Sequence, residues 1–188
     1  MRWEPDSRGR LEHAAMELYS DQGFDKTTVE EIAGRAGLTE RTFFRHFADK
    51  REVLFGGAGA LQEFLVTHVL EAPESLAPIE AIAAALMETG SAIFDERREF
   101  ARTRQAIVTA SVELRERELI KLATLASALA LALRRRGVSD PSASLAAEAG
   151  VAAFRVAFEA WVEDTTAKPL AQFIRESVDA LKTVTTDG

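Results

Sequence analysis

Gly37 separates two short apolar stripes of helical spacing, and that punctuation constrains the chain more than any other feature. Upstream, Val29, Ile32, Ala33 and Ala36 recur at i, i+3, i+4 and i+7, the buried face of one short helix. Thr28 can cap that helix with its side-chain oxygen, and Glu31, three residues on, completes a capping box. Gly37, with no Cβ, can take the left-handed conformation that ends a helix and turns the chain sharply. Downstream, Leu38 plugs the corner, Thr39 caps a second helix, and Phe43 and Phe47 lie one turn apart on its inner face.

Rotation of about 100° per residue decides what points outward. With Phe43 and Phe47 inward, Arg41, Thr42 and Arg45 occupy the opposite side, and Phe44 and His46 the borders. Two short helices crossing at the small residue Ala33, the second showing arginines and a threonine, match a helix-turn-helix with its recognition helix. Arginine can fork onto guanine edges, and threonine can bond a base or touch a thymine methyl. The competing reading is an ordinary helical hairpin with a solvated basic face.

The run Gly23-Phe24, Thr27-Thr28-Val29, Ile32-Ala33, Ala36-Gly37-Leu38, Thr42-Phe43-Phe44-Arg45-His46-Phe47 and Lys50 resembles the DNA-binding domain of the tetracycline-repressor (TetR/AcrR-like) family. The resemblance covers roughly residues 7 to 55. It implies that Arg41, Thr42 and Arg45 read bases while Thr28, Thr39, His46 and Lys50 hold phosphates. The family most often has tyrosine where this chain has Phe44, and that hydroxyl usually reaches a phosphate, so Phe44 faces DNA without it. The Phe-Phe-Arg-His-Phe form resembles a subset of the family with acyl-CoA-like ligands.

Composition narrows the rest. The chain has 188 residues, 47% of them hydrophobic and 28% charged, the balance of a globular protein. Cysteine is absent, so disulfides and thiolate chemistry are excluded. His13, His46 and His68 are too scattered to make a metal-ligand pair, and no nucleophile elbow or dinucleotide fingerprint occurs, so neither an enzyme nor a cofactor is expected. No apolar run approaches the ~20 residues of a bilayer span, and Met1-Arg2-Trp3-Glu4-Pro5 begins no signal peptide; a cytoplasmic chain without a membrane partner is expected. The net charge of −7 sits on the body, because residues 37 to 51 carry four cations against two carboxylates. Such a basic face on an acidic molecule favours few phosphate contacts and ready release by salt.

Along the chain, residues 1 to 6 read as an N-terminal arm, and a helix from Ser7 to Gln22 is stopped by Gly23. Asp49 caps a helix expected to run from Lys50 to about Leu70, and its N-terminus with Lys50 makes a phosphate contact. Gly56, Gly57 and Gly59 lie within it and either form a hinge or permit close packing. Helices then follow from Pro78, from Asp95 to Ala110, from Glu113 to Arg136 with Leu119, Leu122, Leu125, Leu129 and Leu133 inward, from Pro141, and through Phe173 to Leu181. Arg134-Arg135-Arg136 ends the third helix of this series, Glu113 to Arg136, as a structural cation cluster.

The expected architecture is all-α, a three-helix DNA-binding domain over residues 1–55 and a helical ligand-binding and dimerisation domain over 56–188. The resemblance implies a homodimer through the last two helices, bound to double-stranded pseudo-palindromic operator DNA as a repressor released by a small molecule. A body of this size can enclose an apolar or amphipathic effector, with Phe64, His68, Met87, Phe94, Arg104, Phe154, Phe158 and Trp161 as candidate lining. Two alternatives stay open: a DNA-binding dimer with no small-molecule ligand, and a helical enzyme or adaptor with a degenerate helix-turn-helix.

Overall fold

Local capping sets the first three helices. The computed structural model describes residues 6–186, so the expected N-terminal arm and Arg2 lie, Asp6 apart, outside the described residues. In α1 (Ser7–Gln22) the Asp6 carboxylate accepts from Gly9 N at 2.9 Å, and Gly23 at φ 87° ends the helix. α2 (Val29–Arg35) opens on a complete capping box: Glu31 N donates to Thr28 Oγ1 at 3.2 Å and Thr28 N to Glu31 Oε2 at 2.8 Å. Gly37 adopts φ 66°, and Leu38 N closes the turn onto Ala33 O at 2.8 Å. α3 (Glu40–His46) starts at Thr39, whose hydroxyl accepts from Thr42 N at 3.3 Å.

The chain clusters into two compact units, one running up to Ala58 and taking in Thr103–Glu118, the other comprising Gly59–Arg102 and the chain from Leu119. Leu11, Ala15, Ile32, Phe43 and Phe47 form the core of the first with Ile107, Val108 and Leu114. Sequence pattern had assigned Thr103–Glu118 to the second domain. The stretch packs with the first because its three apolar residues meet the core of α1–α3 with Val53, Leu54 and Phe55, and its ends are held by ion pairs. Arg117 pairs with Glu52, Arg51 with Glu113 at 3.0 Å, and Arg104 donates to Leu54 O at 2.8 Å.

The helix expected from Lys50 to Leu70 is divided. α4 (Glu52–Phe55) is four residues long, Gly56 and Gly57 form a turn, and α5 (Ala58–Glu71) follows. Two adjacent glycines cost roughly 2 kcal/mol against alanine in a helix. In addition, Arg8 Nη2 takes the Gly56 carbonyl at 2.6 Å, on the side where a Cβ at Gly56 would meet it. Gly57 and Gly59 face open space, so close packing accounts for neither. Read through the glycines, Glu52–Glu71 is long and apolar enough to cross a membrane by length and composition, with a mean hydropathy of 1.4. Its Val53, Leu54, Phe55, Leu65 and Val69 are buried within the two protein cores.

In the second unit α6 (Pro78–Thr89) begins with proline in its first turn. The chain then keeps winding through a π turn at Gly90–Phe94 and a 3₁₀ turn at Asp95–Arg97 before α7 (Arg98–Ala110), instead of starting a fresh helix at Asp95. The change of pitch brings Asp95 Oδ1 to the N–H of Leu170 at 2.9 Å, capping α10 (Leu170–Thr186). Between them run α8 (Val112–Arg135) and α9 (Ser142–Glu163). Gly150 lets α9 approach α6, since a Cβ there would lie 2.5 Å from Ile82 Cγ2. Leu125, Leu129 and Leu133 are buried, but Leu119 is 56% exposed, correcting its inward assignment. Six residues leave Leu119 and Leu125 about 120° apart around the helix.

Candidate nucleic-acid interface

The α3 surface follows from its anchoring. Phe43 and Phe47 are buried, which turns Arg41, Phe44 and Arg45 to solvent and leaves Thr42 and His46 half-buried. Among the described residues no carboxylate pairs with Arg41 or Arg45. Phe44 is 55% exposed and rests edge-on against Phe43, ring centroids 5.4 Å apart. His46 Nε2 lies 2.9 Å from Ser7 Oγ and 3.4 Å from Arg45 Nη2. Thr39 and Thr42 share a hydroxyl contact at 3.1 Å, and Thr28 stands exposed at the head of α2. Two cations and several hydroxyls thus stand exposed or half-buried around α3 and the head of α2, beside the exposed Glu40 and beside Glu31, which accepts from the Thr28 hydroxyl at 3.0 Å; the unpartnered arginines suit the surface to polyanionic nucleic acid.

Within the chain, Lys50 bonds to the loop between α1 and α2. Its ammonium donates to Phe24 O at 2.8 Å and Thr27 O at 2.9 Å, with Asp25 O at 3.4 Å. Behind it, Asp49 Oδ1 accepts from Arg51 N at 2.8 Å and Glu52 N at 3.2 Å, capping α4. Hydrogen bonding from Arg51 holds the Asp49 carboxyl below its usual range, ahead of the opposing effect of burial. Glu31 is lowered as well, first by the Thr28 backbone and then by its hydroxyl. Arg8 and Arg10 serve the fold: Arg8 binds Glu12 at 3.1 Å and Gly56 O, and Arg10 donates to Ala36 O beneath the turn.

In the second unit, the structure brings four of the candidate lining residues together. The Phe94 ring, at the end of the π turn, lies 6.1 Å from Phe154, 5.5 Å from Phe158 and 6.3 Å from Trp161. Met87 is partly buried against the same core. Phe64 and His68 instead stack on one another at 3.9 Å, one turn apart on α5. Arg104 is a correction, because it belongs to the first unit, pairs with Glu118 at 3.0 Å and covers the Phe55 ring. Its i+14 carboxylate lies across a helical corner that pattern alone does not bring together.

Two arginines of α7 were missed. Arg98 donates to Trp161 O at 2.6 Å, pairs with Asp164 at 3.0 Å and lies over the Trp161 ring, while Arg102 donates to Val162 O at 2.7 Å. Together they satisfy the last carbonyls of α9. Their i, i+4 spacing was the available signal, but not their target. Arg136 does the same for α5, reaching Val69 O at 3.0 Å, Ala72 O and Pro73 O. Among the described residues no cluster of three His, Asp or Glu could hold a metal ion.

Comparison with known proteins bears on both units. Residues 12–55 match the bacterial regulatory proteins of the tetR family, and residues 76–186 match the MftR C-terminal domain. The HTH-type transcriptional regulator TcmR of Streptomyces glaucescens is 38% identical over 79 residues, 42% of this chain and 35% of that protein. The chain thus spans about a third of the length of the curated relatives it matches. Thermus thermophilus FadR, a transcriptional repressor solved with lauroyl-CoA, superposes with a TM-score of 0.58 at 22% identity, covering 93% of each chain. SmeT, the repressor of a Stenotrophomonas maltophilia multidrug efflux pump, gives 0.61 at 20% identity over 94% of this chain and 89% of its own. SmeT has also been solved with triclosan. At these identities the two structures carry the fold alone.

Proposed function

The chain belongs to the tetR family of bacterial DNA-binding transcriptional regulators, with a C-terminal domain of the MftR type, and from that premise we propose that it is a ligand-responsive repressor of a pseudo-palindromic operator. The family is one of regulators rather than enzymes. Residues 1–55 are assigned to DNA reading and residues 56–188 to effector binding and dimerisation. The observation that carries the reading is the α3 face, where Arg41 and Arg45 stand exposed without carboxylate partners on a helix anchored by Phe43 and Phe47. Arg41, Thr42 and Arg45 read base edges, and Phe44 contributes apolar contact. Thr28, Thr39, His46 and Lys50 hold phosphates.

Two such heads reach successive major grooves when their recognition helices lie about 34–36 Å apart, or somewhat more. The effector is apolar or amphipathic and is taken up beside the Phe94, Phe154, Phe158 and Trp161 cluster, an aromatic set built around a π turn, a feature frequent at functional sites. Ligands of that character, lauroyl-CoA and triclosan, occupy the FadR and SmeT relatives. Release follows if the effector binds the operator-incompetent conformation more tightly, by the ratio of the two affinities. Such a protein works on chromosomal DNA in the cytoplasm.

The test is binding to the DNA flanking its own gene at two salt concentrations, beside Arg45→Ala. Sequence-specific binding that salt weakens, and that Arg45→Ala reduces by about 5- to 150-fold, is expected for a base-reading arginine. Equal affinity for random DNA in both proteins would overturn the reading.

A further inference from the structure

Arg98 opens α7, and its guanidinium lies over the Trp161 ring, 5.0 Å from the centroid. A guanidinium carries N–H donors on all three of its nitrogens. Nη2 donates to Trp161 O at 2.6 Å and to Asp164 Oδ2 at 3.0 Å, and Nη1 reaches Lys168 O at 3.5 Å. Nε is buried and, among the described residues, has no acceptor. The adjacent carboxylate is already committed: Asp164 Oδ2 also takes Thr166 N at 3.0 Å, and Oδ1 takes the Thr166 hydroxyl at 2.8 Å. Capping α9 does not require such an orphan. Arg102, one turn on, serves the same helix end with all three nitrogens engaged, its own Nε donating to Val162 O at 2.7 Å. A buried donor without a partner forfeits its hydration for nothing in return, so folded chains rarely keep one.

We propose that the Arg98 Nε–H is the polar anchor of the effector site, donating to an oxygen of a neutral or anionic amphipathic molecule whose apolar part lies against Phe94, Phe158 and Trp161. The inference deepens, and rests on, the reading that the effector is taken up beside this aromatic cluster. The three rings lie 5.5 to 6.3 Å apart, and Phe94 and Phe158 are only half-buried, which leaves apolar surface next to the buried Trp161 uncovered by this chain. Aromatic rings by themselves favour a cation. Here the Trp161 ring already holds the Arg98 guanidinium, and a second cation would meet that charge. An oxygen instead gains a charge-assisted bond from the free Nε–H. Among molecules of equal apolar size, the geometry selects an acceptor over an ammonium.

Three probes of one chain length separate the polar end from the apolar body: dodecanoate, dodecanol and dodecyltrimethylammonium. Each is titrated, below its micellar range and at mildly alkaline pH, into the full chain carrying Trp3→Phe. Trp161 is then the one indole present, and its fluorescence reports from the site. Dodecanoate is expected to bind at least about tenfold more tightly than dodecyltrimethylammonium, with dodecanol between them, the factor that a charge-assisted hydrogen bond supplies. Equal or reversed affinities overturn the inference. This comparison needs no change at Arg98.

Substitution supplies the second arm. Arg98→Met is expected to erase the preference for dodecanoate, whereas Arg102→Met, which removes a cation from the same end of α9, is expected to keep it. Equal loss in both variants would assign Arg98 to the fold alone and overturn the inference. A third readout follows the donor itself in arginine labelled with nitrogen-15. The Arg98 Nε–H resonance, assigned by its loss in Arg98→Met or Arg98→Lys, is expected to move downfield as dodecanoate binds, because its proton enters a hydrogen bond. Dodecanoate binding that leaves this resonance unmoved overturns the anchor. Failure of all three probes to bind would sink the effector reading itself, whereas binding without preference for an oxygen sinks this inference alone.

Discussion

Asp49 joins the recognition helix to the rest of the first unit through one carboxylate. Its Oδ1 takes two backbone N–H groups at the start of α4, while Oδ2 takes the Arg51 guanidinium at 2.6 Å. Arg51 also reaches Glu113, so a single cation ties the α3–α4 junction to the head of α8. Because these bonds lower the Asp49 pKa in the folded state, their stabilisation is present above the unfolded value near 4 and is lost as pH falls through the folded one. Asp49→Asn keeps a capping oxygen but not the charge. It is expected to lower stability at pH 7 by about 1 kcal/mol, or roughly 2–4 °C in Tm. The gap between variant and wild type should close progressively below pH 4. Thermal unfolding at pH 7, 5 and 3.5 measures it, and a gap of constant size would deny Asp49 the role.

At the scale of elements, the run Gly56-Gly57-Ala58-Gly59 stands where the two units divide and where α4 gives way to α5. Gly57 and Gly59 have open space where a side chain would go and no positive φ to forbid one. Alanine at both is therefore expected to stabilise the chain, by about 0.5–1 kcal/mol each, by favouring one continuous helix. If the break is the hinge that conveys effector binding to the DNA-reading head, the same double variant should bind operator normally yet resist effector-induced release. Denaturant unfolding and effector titration on the operator complex give the two readings, and unchanged release would leave the glycines without a hinge role. This segment also shows where the fold was legible in sequence. The helix-turn-helix was legible because its signals are local: Thr28 with Glu31, Gly37, Thr39, and two phenylalanines one turn apart. The α4–α5 break and the π turn were not, because each depends on a distant partner. Arg8 reaches Gly56 from 48 residues away and Asp95 reaches Leu170 from 75. Lys50 was legible as a cation beside the recognition helix, but its three carbonyl partners lie 23 to 26 residues upstream and carry no side-chain signature.

For the molecule as a whole, the acidic body and the small basic face only make sense as a regulator if two heads act together. One α3 exposes two arginines, and a single half-site with few phosphate contacts binds weakly at physiological salt. The second unit leaves apolar surface suited to pairing. On α9, Leu145, Ala152 and Val156 follow at i, i+7 and i+11 along one exposed stripe, with Leu145 65% and Val156 54% exposed. Glu148, Arg155 and Glu159 border it, and Val184 stands exposed on α10. A two-fold axis through such a stripe would set it against its own copy, as an isologous helix-on-helix seam requires. Val156→Glu then places two like charges close to that axis without touching the buried face of α9, where Val151, Phe154 and Trp161 hold the fold. The variant is expected to keep its helicity and Tm to within a few degrees but to sediment as a monomer at micromolar concentration. Its operator affinity should fall by at least about 100-fold, since losing the dimer forfeits the second half-site's effective concentration. Sedimentation velocity beside an operator titration distinguishes the cases: a Val156→Glu dimer that still binds its operator would move the seam to another face of the helical unit.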